Sequence, residues 1–198
     1  MTMIAVLGNG RVGGSLSAAL TRAGHEVTVA DRSPGAAADA SRTAQIVINA
    51  TPGAGSLERL LALRKELEGK ILVDVSNATV DGPDGLPAGL LHPGSSLGEQ
   101  LQEALPGTRV VKTLNTMLYT VMTAPGTLAQ APTAFLSGED PGAKQVVRGL
   151  LEDLGWHPEW ITDLGGIRTA QATEAAVLFV PHVIRSSGFA PFAVSIAR

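Results

Sequence analysis

Cysteine is absent from this chain of 198 residues. The absence excludes disulfides, thiolate metal ligands and a cysteine nucleophile. It is typical of proteins in a reducing compartment, and we expect a cytoplasmic location. A basic surface is also missing, because the net charge is −3, the pI is near 5.8, and Lys and Arg are scattered along the chain. We therefore expect no nucleic-acid partner.

Long apolar runs are missing as well. The longest uncharged apolar stretch near the end covers residues 175–184, and Pro181 and His182 interrupt it. A membrane-spanning helix needs about 20 apolar residues, so we expect no membrane partner. Met1 leads directly into a strand-like run, and the sequence therefore predicts no secretory signal.

The four histidines do not form a metal motif. No pair among His25, His92, His157 and His182 has the spacing of zinc ligands, and we expect no metal. His25 precedes the second strand and is interpreted as structural. His92 lies in a Pro/Gly loop, and His157 is placed at the start of a strand. His182 alone remains a candidate for a site far from the N-terminus.

The chain does contain a glycine-rich turn directly after its first predicted strand. Ile4–Leu7 is strand-like, residues 8–13 read G-x-G-x-x-G, and a helical pattern follows over 15–23. In dinucleotide-binding βαβ units the first glycine permits the tight turn, the second lets the diphosphate approach the backbone, and the third lets helix and strand pack closely. The helix N-terminus then offers free N–H groups to the diphosphate.

A second strand-like run ends in Asp31 and supports this interpretation. Val27 and Val29 fit a buried strand, and Gly24 is a natural end for the preceding helix. Asp31 follows Gly13 by 18 residues, close to the roughly 20 expected for the acid that binds the adenosine ribose. The alternative is an ordinary strand–turn–helix with extra glycines.

The order of the predicted elements indicates an α/β fold. The predicted strands are 3–7, 26–30, 46–50, 71–75, 108–113, 132–137 and 157–161. The predicted helices are 11–23, 36–43, 56–67, 95–105, 114–122 and 141–154, with a last helix from about 166 to 180, and 81–87 is predicted as a loop. This alternation favours a Rossmann-type doubly wound, mainly parallel sheet. We expect residues 1–163 to form the dinucleotide-binding domain. Residues 164–198 form a short C-terminal helical extension that completes the cleft or a dimer interface, within one compact unit.

Three loops after predicted strands carry small, uncharged polar residues. These loops are 49–53, 76–79 and 113–117. In open α/β sheets, ligands bind beyond the carboxyl ends of the strands. Such side chains suit hydrogen bonds to a ribose and a carboxamide, and they leave room for flat rings. Each of Thr51, Ser76 and Asn115 has a second interpretation, since such residues also cap helices.

The sequence also lacks an obvious pair of proton donors. Lys112 ends the fifth strand, where a surface or edge position is favoured, and Glu174 is interpreted as solvated or paired with an arginine. Reduction of a ketone usually needs a general acid near the carbonyl oxygen. Hydride transfer between two cofactor rings mainly needs the rings held face to face. The sequence favours the second reaction, and no catalytic residue is assigned.

Several segments resemble the deazaflavin-dependent NADP oxidoreductases, the coenzyme F-420:NADP oxidoreductase family. The matching segments are 4–13, 50–52, 73–77, 111–116, 137–140, 153–156 and 163–168. They are spread over most of the chain, and the parts within 112–116 and 137–168 are the more specific. The resemblance implies hydride exchange between NADP(H) and a deazaflavin, coenzyme F-420, or a flavin as second substrate.

The resemblance also implies which residues hold the cofactors. The diphosphate would be held by Gly8, Asn9, Gly10, Arg11, Val12 and Gly13, and the adenosine ribose by Asp31, Arg32 and Ser33. The inner ribose would be lined by Ala50, Thr51 and Pro52, and the nicotinamide by Ser76, Asn77, Asn115, Thr116 and Met117. The C-terminal helix and tail would cover the second cofactor.

One residue departs from the family pattern. The family tends to place a small polar residue and then an arginine after the second strand, where they bind a 2′-phosphate. This chain has Asp31 before Arg32. A carboxylate there favours the free ribose hydroxyl of NAD, whereas the planar fork of Arg32 suits a phosphate. NADP is expected from the family pattern, and NAD is left open.

Two other functions are left open. One is an NAD(P)-dependent reductase of a small carbonyl or imine substrate, with Lys112 or His182 as proton donor. The other is a non-enzymatic redox sensor that binds the dinucleotide and signals through its tail. The apolar tail from Phe179 to Phe192 is expected to pack over the nicotinamide or against a second subunit, and we expect a homodimer.

Overall fold

A computed structural model describes residues 1–197, which contain one large sheet and one small hairpin. The sheet comprises β1 (Met3–Leu7), β2 (Glu26–Ala30), β3 (Ile46–Asn49), β4 (Ile71–Asp74), β7 (Arg109–Lys112), β8 (Ala134–Ser137) and β9 (Ile161–Gly165), and the hairpin is β5 (Thr79–Asp81) with β6 (Pro87–Leu90). The spatial order of the sheet is β2-β1-β3-β4-β7-β8-β9. Neighbouring strands are parallel except β7 and β8, so the predicted mainly parallel Rossmann-type α/β sheet is confirmed.

Helices connect the strands and cover both faces of the sheet. They are α1 (Arg11–Arg22), α2 (Ala36–Thr43), α3 (Ser56–Leu61), α4 (Arg64–Leu67), α5 (Leu97–Ala104), α6 (Tyr119–Met122), α7 (Pro141–Asp153), α8 (Ala170–Ala175) and α9 (Val180–Ser187). Their starts follow local chemistry where a polar residue is available. Ser96 Oγ accepts the Glu99 N–H at the start of α5, and Asp140 Oδ1 accepts the Ala143 N–H ahead of Pro141 in α7.

The core has two layers because successive side chains of each strand point to opposite faces. Ile4 and Val6 join the layer beneath α1 and α7, and Ala5 and Leu7 join the layer beneath α3, α4 and α5. All four residues of β3 and of β4 are buried, as expected for central strands of a parallel sheet. Among residues 1–197, no helix has the length and apolar character needed to cross a bilayer.

The chain changes direction across the sheet at β1, since β2 pairs with one edge of β1 and β3 with the other. Such a point is where ligands bind in open α/β sheets, in the crevice beyond the carboxyl ends of the strands. The loops that follow Leu7, Ala30 and Asn49 all start at this edge. The topology therefore places the glycine turn, Asp31 and the Thr51 loop around one crevice.

Two predicted elements are wrong. Residues 158–160 form a 3-10 turn, and the last strand runs later, over Ile161–Gly165, because Pro158 begins the turn and cannot supply an N–H to a ladder. The predicted helix at 114–122 is reduced to Tyr119–Met122, since Leu114 is left-handed with φ 59° and the next residues form a loop.

Three other elements differ in extent. The helix predicted over 56–67 is interrupted after Leu61 and resumes at Arg64. The loop predicted at 81–87 is flanked by the two strands of the hairpin, with only 82–86 outside them. The last helical stretch consists of 3-10 turns at 167–169 and 176–179 alternating with α8 and α9, and it continues to Ser187.

Candidate functional site

The glycine turn between β1 and α1 has the geometry that its sequence predicts. Gly8 has φ 105°, and a Cβ there would lie 2.8 Å from the Ala50 carbonyl oxygen. A Cβ on Gly13 would overlap the Gly8 carbonyl oxygen, whereas a Cβ on Gly10 would meet no atom within 4 Å. Gly8 and Gly13 are therefore required by the protein itself. Gly10 leaves space open on the outside of the turn.

The N-terminus of α1 is suited to an anion. The cap residue Gly10 has no side chain to accept the free N–H groups, and the first turn carries no acidic residue. The helix dipole adds partial positive charge at the same place, and Arg11 is the first helical residue. These features fit a diphosphate, whose oxygens accept from the N–H groups that the helix leaves free.

Asp31 follows the last residue of β2 and faces solvent beside the turn. The Ser33 N–H donates to Asp31 Oδ1 at 2.8 Å and lowers the pKa of the carboxyl below its ordinary value. The carboxylate is therefore charged at neutral pH, with its other oxygen free of that bond. Arg32 is also exposed. The edge of the sheet after β2 thus carries adjacent residues of opposite charge.

The loop after β3 is held by Asn49 at the end of that strand. Asn49 Oδ1 accepts the Thr51 hydroxyl at 2.6 Å, and the Ala50 N–H donates to the Leu7 carbonyl at 3.0 Å. Ser56 Oγ lies 3.1 Å from Thr51 Oγ1. These bonds fix Thr51 and Pro52 at the mouth of the crevice opened by Gly8.

The loops after β4 and β7 are joined by two asparagines. Asn77 Nδ2 donates to the Asn115 carbonyl at 2.8 Å, and Asn115 Nδ2 donates to Asn77 Oδ1 at 3.0 Å. The left-handed backbone at Leu114 turns the chain so that Asn115 meets Asn77. Backbone strain of this kind at a non-glycine residue is concentrated at functional sites.

A cavity of about 450 Å³ lies beside these loops, within the range of small-molecule sites. Its polar floor is formed by Thr51, Ser76, Asn77, Asn115 and Thr116, and its apolar roof by Val177, Phe179, Val180, Val183 and Phe192. Among residues 1–197, no charged side chain lines it. The three loops predicted to share a cleft therefore do share one, and the alternative role as helix caps is not seen for Thr51, Ser76 or Asn115.

Two buried polar atoms on the floor have no partner within the described chain. They are Asn115 Oδ1 and Thr116 Oγ1, on residues that are 4% and 6% exposed. An unsatisfied buried polar atom costs free energy, and a ligand in the cavity that supplies hydrogen-bond partners would remove that cost. A carboxamide, as in nicotinamide, presents N–H donors and a carbonyl acceptor to this pair.

Comparison with known proteins agrees with this geometry. A family model described as NADP oxidoreductase, coenzyme F-420-dependent, matches residues 3–52. A protein of Arthrobacter sp. FB24 with the provisional name F-420-dependent NADP-reductase is 38% identical over all of both chains, with a TM-score of 0.91. The chain belongs to the coenzyme F-420-dependent NADP oxidoreductase family. It is an NAD(P)-dependent oxidoreductase.

More distant structures share the fold of this oxidoreductase. A hypothetical protein of Sinorhizobium meliloti, SMa0349, is 28% identical, with 85% of this chain and 88% of that one covered and a TM-score of 0.66. An imine reductase of Myxococcus stipitatus in complex with NADP+ is 18% identical, with 93% and 62% covered and a TM-score of 0.67. At that identity the likeness concerns the fold alone. No protein of curated function matches the sequence.

Lys112 is the residue of the oxidoreductase whose predicted position differs most from the observed one. It is 1% exposed, not at the surface, and its ammonium lies 2.7 Å from Asp74 Oδ2 and 2.8 Å from Glu174 Oε1. Glu174 is likewise buried and pairs with this lysine rather than with solvent or an arginine. Burial opposes the charge, but the two carboxylates outweigh it and raise the pKa of Lys112.

The tail of the oxidoreductase adds residues to the site that the sequence identified only as an apolar stretch. Ala193 forms an antiparallel bridge with Met117, the Leu118 N–H donates to the Phe192 carbonyl at 2.9 Å, and the Val194 N–H donates to Thr116 at 3.0 Å. Phe192, Ala193 and Val194 thereby line the cavity. Tyr119 also lines it, with Arg11 5.4 Å above its ring.

The histidines lie outside the cavity. His25 Nε2 lies 3.0 Å from Asp153, which agrees with a structural role. His157 precedes the 3-10 turn and packs 4.5 Å from the Trp160 ring, so its placement at a strand start is wrong. His182 is exposed on α9. In residues 1–197 no three His, Asp or Glu side chains are grouped closely enough to hold a metal.

The predicted cofactor residues fall into two sets. Val12, Thr51, Pro52, Ser76, Asn77, Asn115, Thr116 and Met117 line the cavity. Gly8, Asn9, Gly10, Arg11, Gly13, Asp31, Arg32, Ser33 and Ala50 do not line it and instead lie at or next to the carboxyl ends of β1, β2 and β3. The sets are continuous through Val12 and Thr51, as an extended dinucleotide requires.

Proposed function

We propose that this oxidoreductase transfers a hydride between NADP(H) and a deazaflavin, coenzyme F-420, or a flavin-type second substrate. The observation that carries the proposal is the cavity beside the glycine turn, which has an uncharged polar floor, an apolar roof and no charged side chain. Two flat rings need such a space. Donation of a proton to a carbonyl oxygen needs a general acid, and within residues 1–197 the lining offers the Tyr119 phenol for that role but no carboxyl, histidine or lysine.

The dinucleotide would extend from the glycine turn to the cavity floor. Its diphosphate would accept from the N–H groups at the start of α1, and its adenosine ribose would meet Asp31, Arg32 and Ser33. Asn115 Oδ1 and Thr116 Oγ1 would orient the carboxamide of the nicotinamide. The support is that the start of α1 carries no side-chain cap and that Asn115 Oδ1 and Thr116 Oγ1 are among the buried polar atoms without a partner in the described chain.

The chain's own contribution to the reaction is position and exclusion of water. When bound, the cofactor rings supply the chemistry: the hydride passes between them with its electron pair, and one solvent proton balances reduction of the second ring. Asn77 and Asn115 would fix the plane of the nicotinamide through their paired bonds. The roof residues would keep water away from the exchange, which prevents loss of the hydride equivalent.

The C-terminal extension, residues 164–198, is proposed to complete the active site within one compact unit. The support is that Val177, Val180 and Val183 line the cavity from above and the strand-like tail closes its side. The proposed cofactor is NADP, in line with the family description. NAD is left open because Asp31 opposes a 2′-phosphate.

Reduction of a small carbonyl or imine is the second candidate, and it has less support. Its two expected proton donors do not reach the cavity, because Lys112 is bonded to two carboxylates and His182 lies outside the lining. Tyr119 is the one phenol in the lining and is the group that such a reaction would use. A dinucleotide sensor without turnover is the third candidate.

Absorbance of the reduced nicotinamide separates these candidates. We expect NADPH to be oxidised when oxidised coenzyme F-420 is added, and not when keto acids or cyclic imines are added. Turnover with a keto acid or an imine, abolished in Tyr119→Phe, would establish the reductase instead. Tight dinucleotide binding without turnover in any mixture, together with a dinucleotide-dependent change of oligomeric state, would establish the sensor.

A further inference from the structure

The buried ammonium of Lys112 joins three separate parts of the molecule. It lies 2.7 Å from Asp74 at the end of β4 and 2.8 Å from Glu174 in α8, and it also donates to the Ser76 carbonyl. All three donors of the ammonium are therefore used. The side chain does not line the cavity and is not placed to exchange a proton there.

The bonds on one side of Lys112 lead to the cavity floor. Asp74 Oδ1 accepts the Ser76 hydroxyl and the Asn49 amide, each at 2.8 Å. Asn49 in turn accepts the Thr51 hydroxyl at 2.6 Å. Thr51 and Ser76 both line the cavity. Lys112 thus holds the carboxylate that organises two of the three floor loops.

The bonds on the other side lead to the cavity roof. Glu174 Oε2 accepts the Leu97 N–H at 3.0 Å, and Oε1 accepts the Gly98 N–H at 3.1 Å, at the start of α5. Glu174 belongs to α8, and the chain continues from α8 into the residues 176–183 that form the roof. The ion pair between Lys112 and Glu174 is therefore a direct polar link between the sheet and the helix that leads into the roof.

Stability alone does not account for three buried charges. Withdrawing charges from water is costly, and replacing a buried ion cluster with packed apolar side chains is often neutral or stabilising. What such a cluster supplies is a fixed geometry, because each bond has a preferred length and direction. Here the cluster connects the floor of the cavity to its roof, and the distance between them is the geometry that it can fix.

We propose that Lys112 is a positioning residue that sets the distance between the nicotinamide floor and the roof that covers the second substrate. Through Asp74 it fixes the loop at Ser76, and through Glu174 it fixes the stretch 176–183. Hydride transfer between two stacked rings depends steeply on their distance and alignment. The inference rests on the proposed hydride transfer between rings and assigns to this cluster the control of ring spacing.

Two variants test the role. Lys112→Met removes the cation but leaves two buried carboxylates without a counter-charge, so it also threatens folding. Glu174→Gln is the more informative change, because it leaves the neutral pair of Lys112 and Asp74 in place. Its amide cannot accept from both the Leu97 and Gly98 N–H groups, so it loosens the roof while keeping the charge balanced.

The first readout follows the nicotinamide ring without any turnover. Bound NADPH fluoresces, and the decay of its anisotropy reports how firmly the ring is held. In Glu174→Gln we expect NADPH to bind with nearly the wild-type Kd, because the glycine turn is unchanged. We also expect the nicotinamide ring to rotate measurably faster, because the loosened roof confines it less.

The second readout is turnover with coenzyme F-420, where kcat should fall roughly tenfold to a hundredfold. The isotope effect with deuterated nicotinamide should rise, since hydride transfer becomes limiting.

Lys144→Met is the matched control. Lys144 is also buried on this sheet, pairs with Asp163 at 2.8 Å and donates to the Gly165 carbonyl, but it does not line or adjoin the cavity loops. It should lower the melting temperature without changing ring mobility or the isotope effect. If Glu174→Gln lowers only the melting temperature, or if Lys144→Met alters the ring equally, the positioning role is overturned.

Failure of this inference is distinguishable from failure of the proposed function. If the wild type does not turn over with coenzyme F-420, the proposed function fails, and the anisotropy of bound NADPH still decides the role of Lys112. If the wild type turns over and Glu174→Gln matches it in kcat, isotope effect and ring mobility, the proposed function stands and the positioning role is overturned.

Discussion

Asn77 and Asn115 bind each other through two hydrogen bonds, of 2.8 and 3.0 Å, across the carboxyl ends of β4 and β7. The Asn115 amide nitrogen thus donates within the protein, whereas Asn115 Oδ1 has no partner in the described chain. The two loops are thus fixed to each other before any ligand binds. Under the proposed function, the remaining acceptor, Asn115 Oδ1, would bind the carboxamide of the nicotinamide.

Asn77→Ala should disturb stability and binding together. It removes the donor to the Asn115 carbonyl and the acceptor for the Asn115 amide, and we expect the free energy of unfolding to fall by about 1–3 kcal/mol. Affinity for NADPH should fall as well, since Asn115 is no longer held. Denaturant titration and calorimetry measure the two effects. Asn9→Ala, at an exposed asparagine, is the stability control, with a change within about 0.5 kcal/mol. Equal losses of unfolding free energy in both variants would contradict the role of the pair.

Gly10, Gly13 and Gly14, at the first turn and the start of α1, should respond differently to alanine. Gly13→Ala would drive a methyl group into the Gly8 carbonyl, at a cost of about 3 kcal/mol or more. Gly14→Ala, one position later in α1, meets no atom within 4 Å and should stabilise the protein by about 0.5–1 kcal/mol. Gly10→Ala should cost no more than about 1 kcal/mol, as alanine is a poorer cap.

The same series separates folding from binding. The methyl of Gly10→Ala would occupy the open space outside the turn, so NADPH affinity should fall by roughly tenfold or more although the protein remains folded. Gly14→Ala should bind as the wild type does. Wild-type affinity in folded Gly10→Ala would show that no diphosphate contacts this turn.

The first half of the fold is predictable from sequence because its signals are local. The apolar run of β1, the three glycines and the helical spacing of α1 lie within about twenty residues, and each constrains the next. The hairpin of β5 and β6 gave no such signal, since its strands are only three and four residues long. The burial of Trp156 likewise comes from tertiary structure, through packing and through the bond of its indole N–H to the Met122 carbonyl at 3.0 Å.

The charged cluster beneath the site was not predictable. Lys112, Asp74 and Glu174 are distant in sequence, and each alone has the residue type of an exposed position. Only the register of β4 with β7 and the docking of α8 bring them together. The polar loops were found because the carboxyl ends of parallel strands share one edge, which is a rule of topology rather than of any residue.

Asp31→Ser should raise the preference for NADP over NAD. The charged carboxylate beside the ribose repels a 2′-phosphate, so its removal should raise the ratio of NADP to NAD affinity by roughly tenfold or more, the scale of one like-charge contact. Arg32 then remains as the phosphate partner. Calorimetric titration with both nucleotides measures the ratio. Asp39→Ser, an exposed aspartate paired with Arg42 in α2, is the charge-matched control. An unchanged ratio in Asp31→Ser would place this residue away from the ribose.

Asp163 should make stability depend on acid pH. Partial burial would raise the pKa of its carboxyl, but the bonds from Lys144 and from the Gly165 N–H outweigh burial and lower it. A lowered folded-state pKa stabilises the protein above the unfolded-state value, 3.8, and this stability is lost as the pH falls through the folded-state value. The difference in denaturation midpoint between wild type and Asp163→Asn should therefore be full at neutral pH and shrink below about pH 4.

Asp39→Asn controls for that experiment. Its pair with Arg42 is exposed on both sides, and exposed pairs contribute little. Its midpoint should stay near that of the wild type. If the gap for Asp163→Asn is constant from neutral pH to below pH 3, the bond to Lys144 is not what lowers the pKa of Asp163.

Removal of the tail should act on the second substrate more than on the dinucleotide. Truncation after Gly188 deletes Phe192, Ala193 and Val194 from the cavity wall and breaks their bonds to Thr116 and Leu118. The glycine turn and the paired asparagines are left intact. We expect the KM for coenzyme F-420 to rise strongly while the Kd for NADPH changes little.

Val194→Pro refines this test because it removes one N–H, the donor to Thr116, and keeps the chain at full length. A rise in the KM for coenzyme F-420 in Val194→Pro, in the same direction as for the truncation, ties the effect to closure of the cavity.

The tail has a second candidate role, as an interface between subunits. Phe189 is 66% exposed, and a second subunit would cover it. Sedimentation of both variants decides between these roles. Loss of a dimer with unchanged KM would make the tail an interface, because the cavity would then be complete without it.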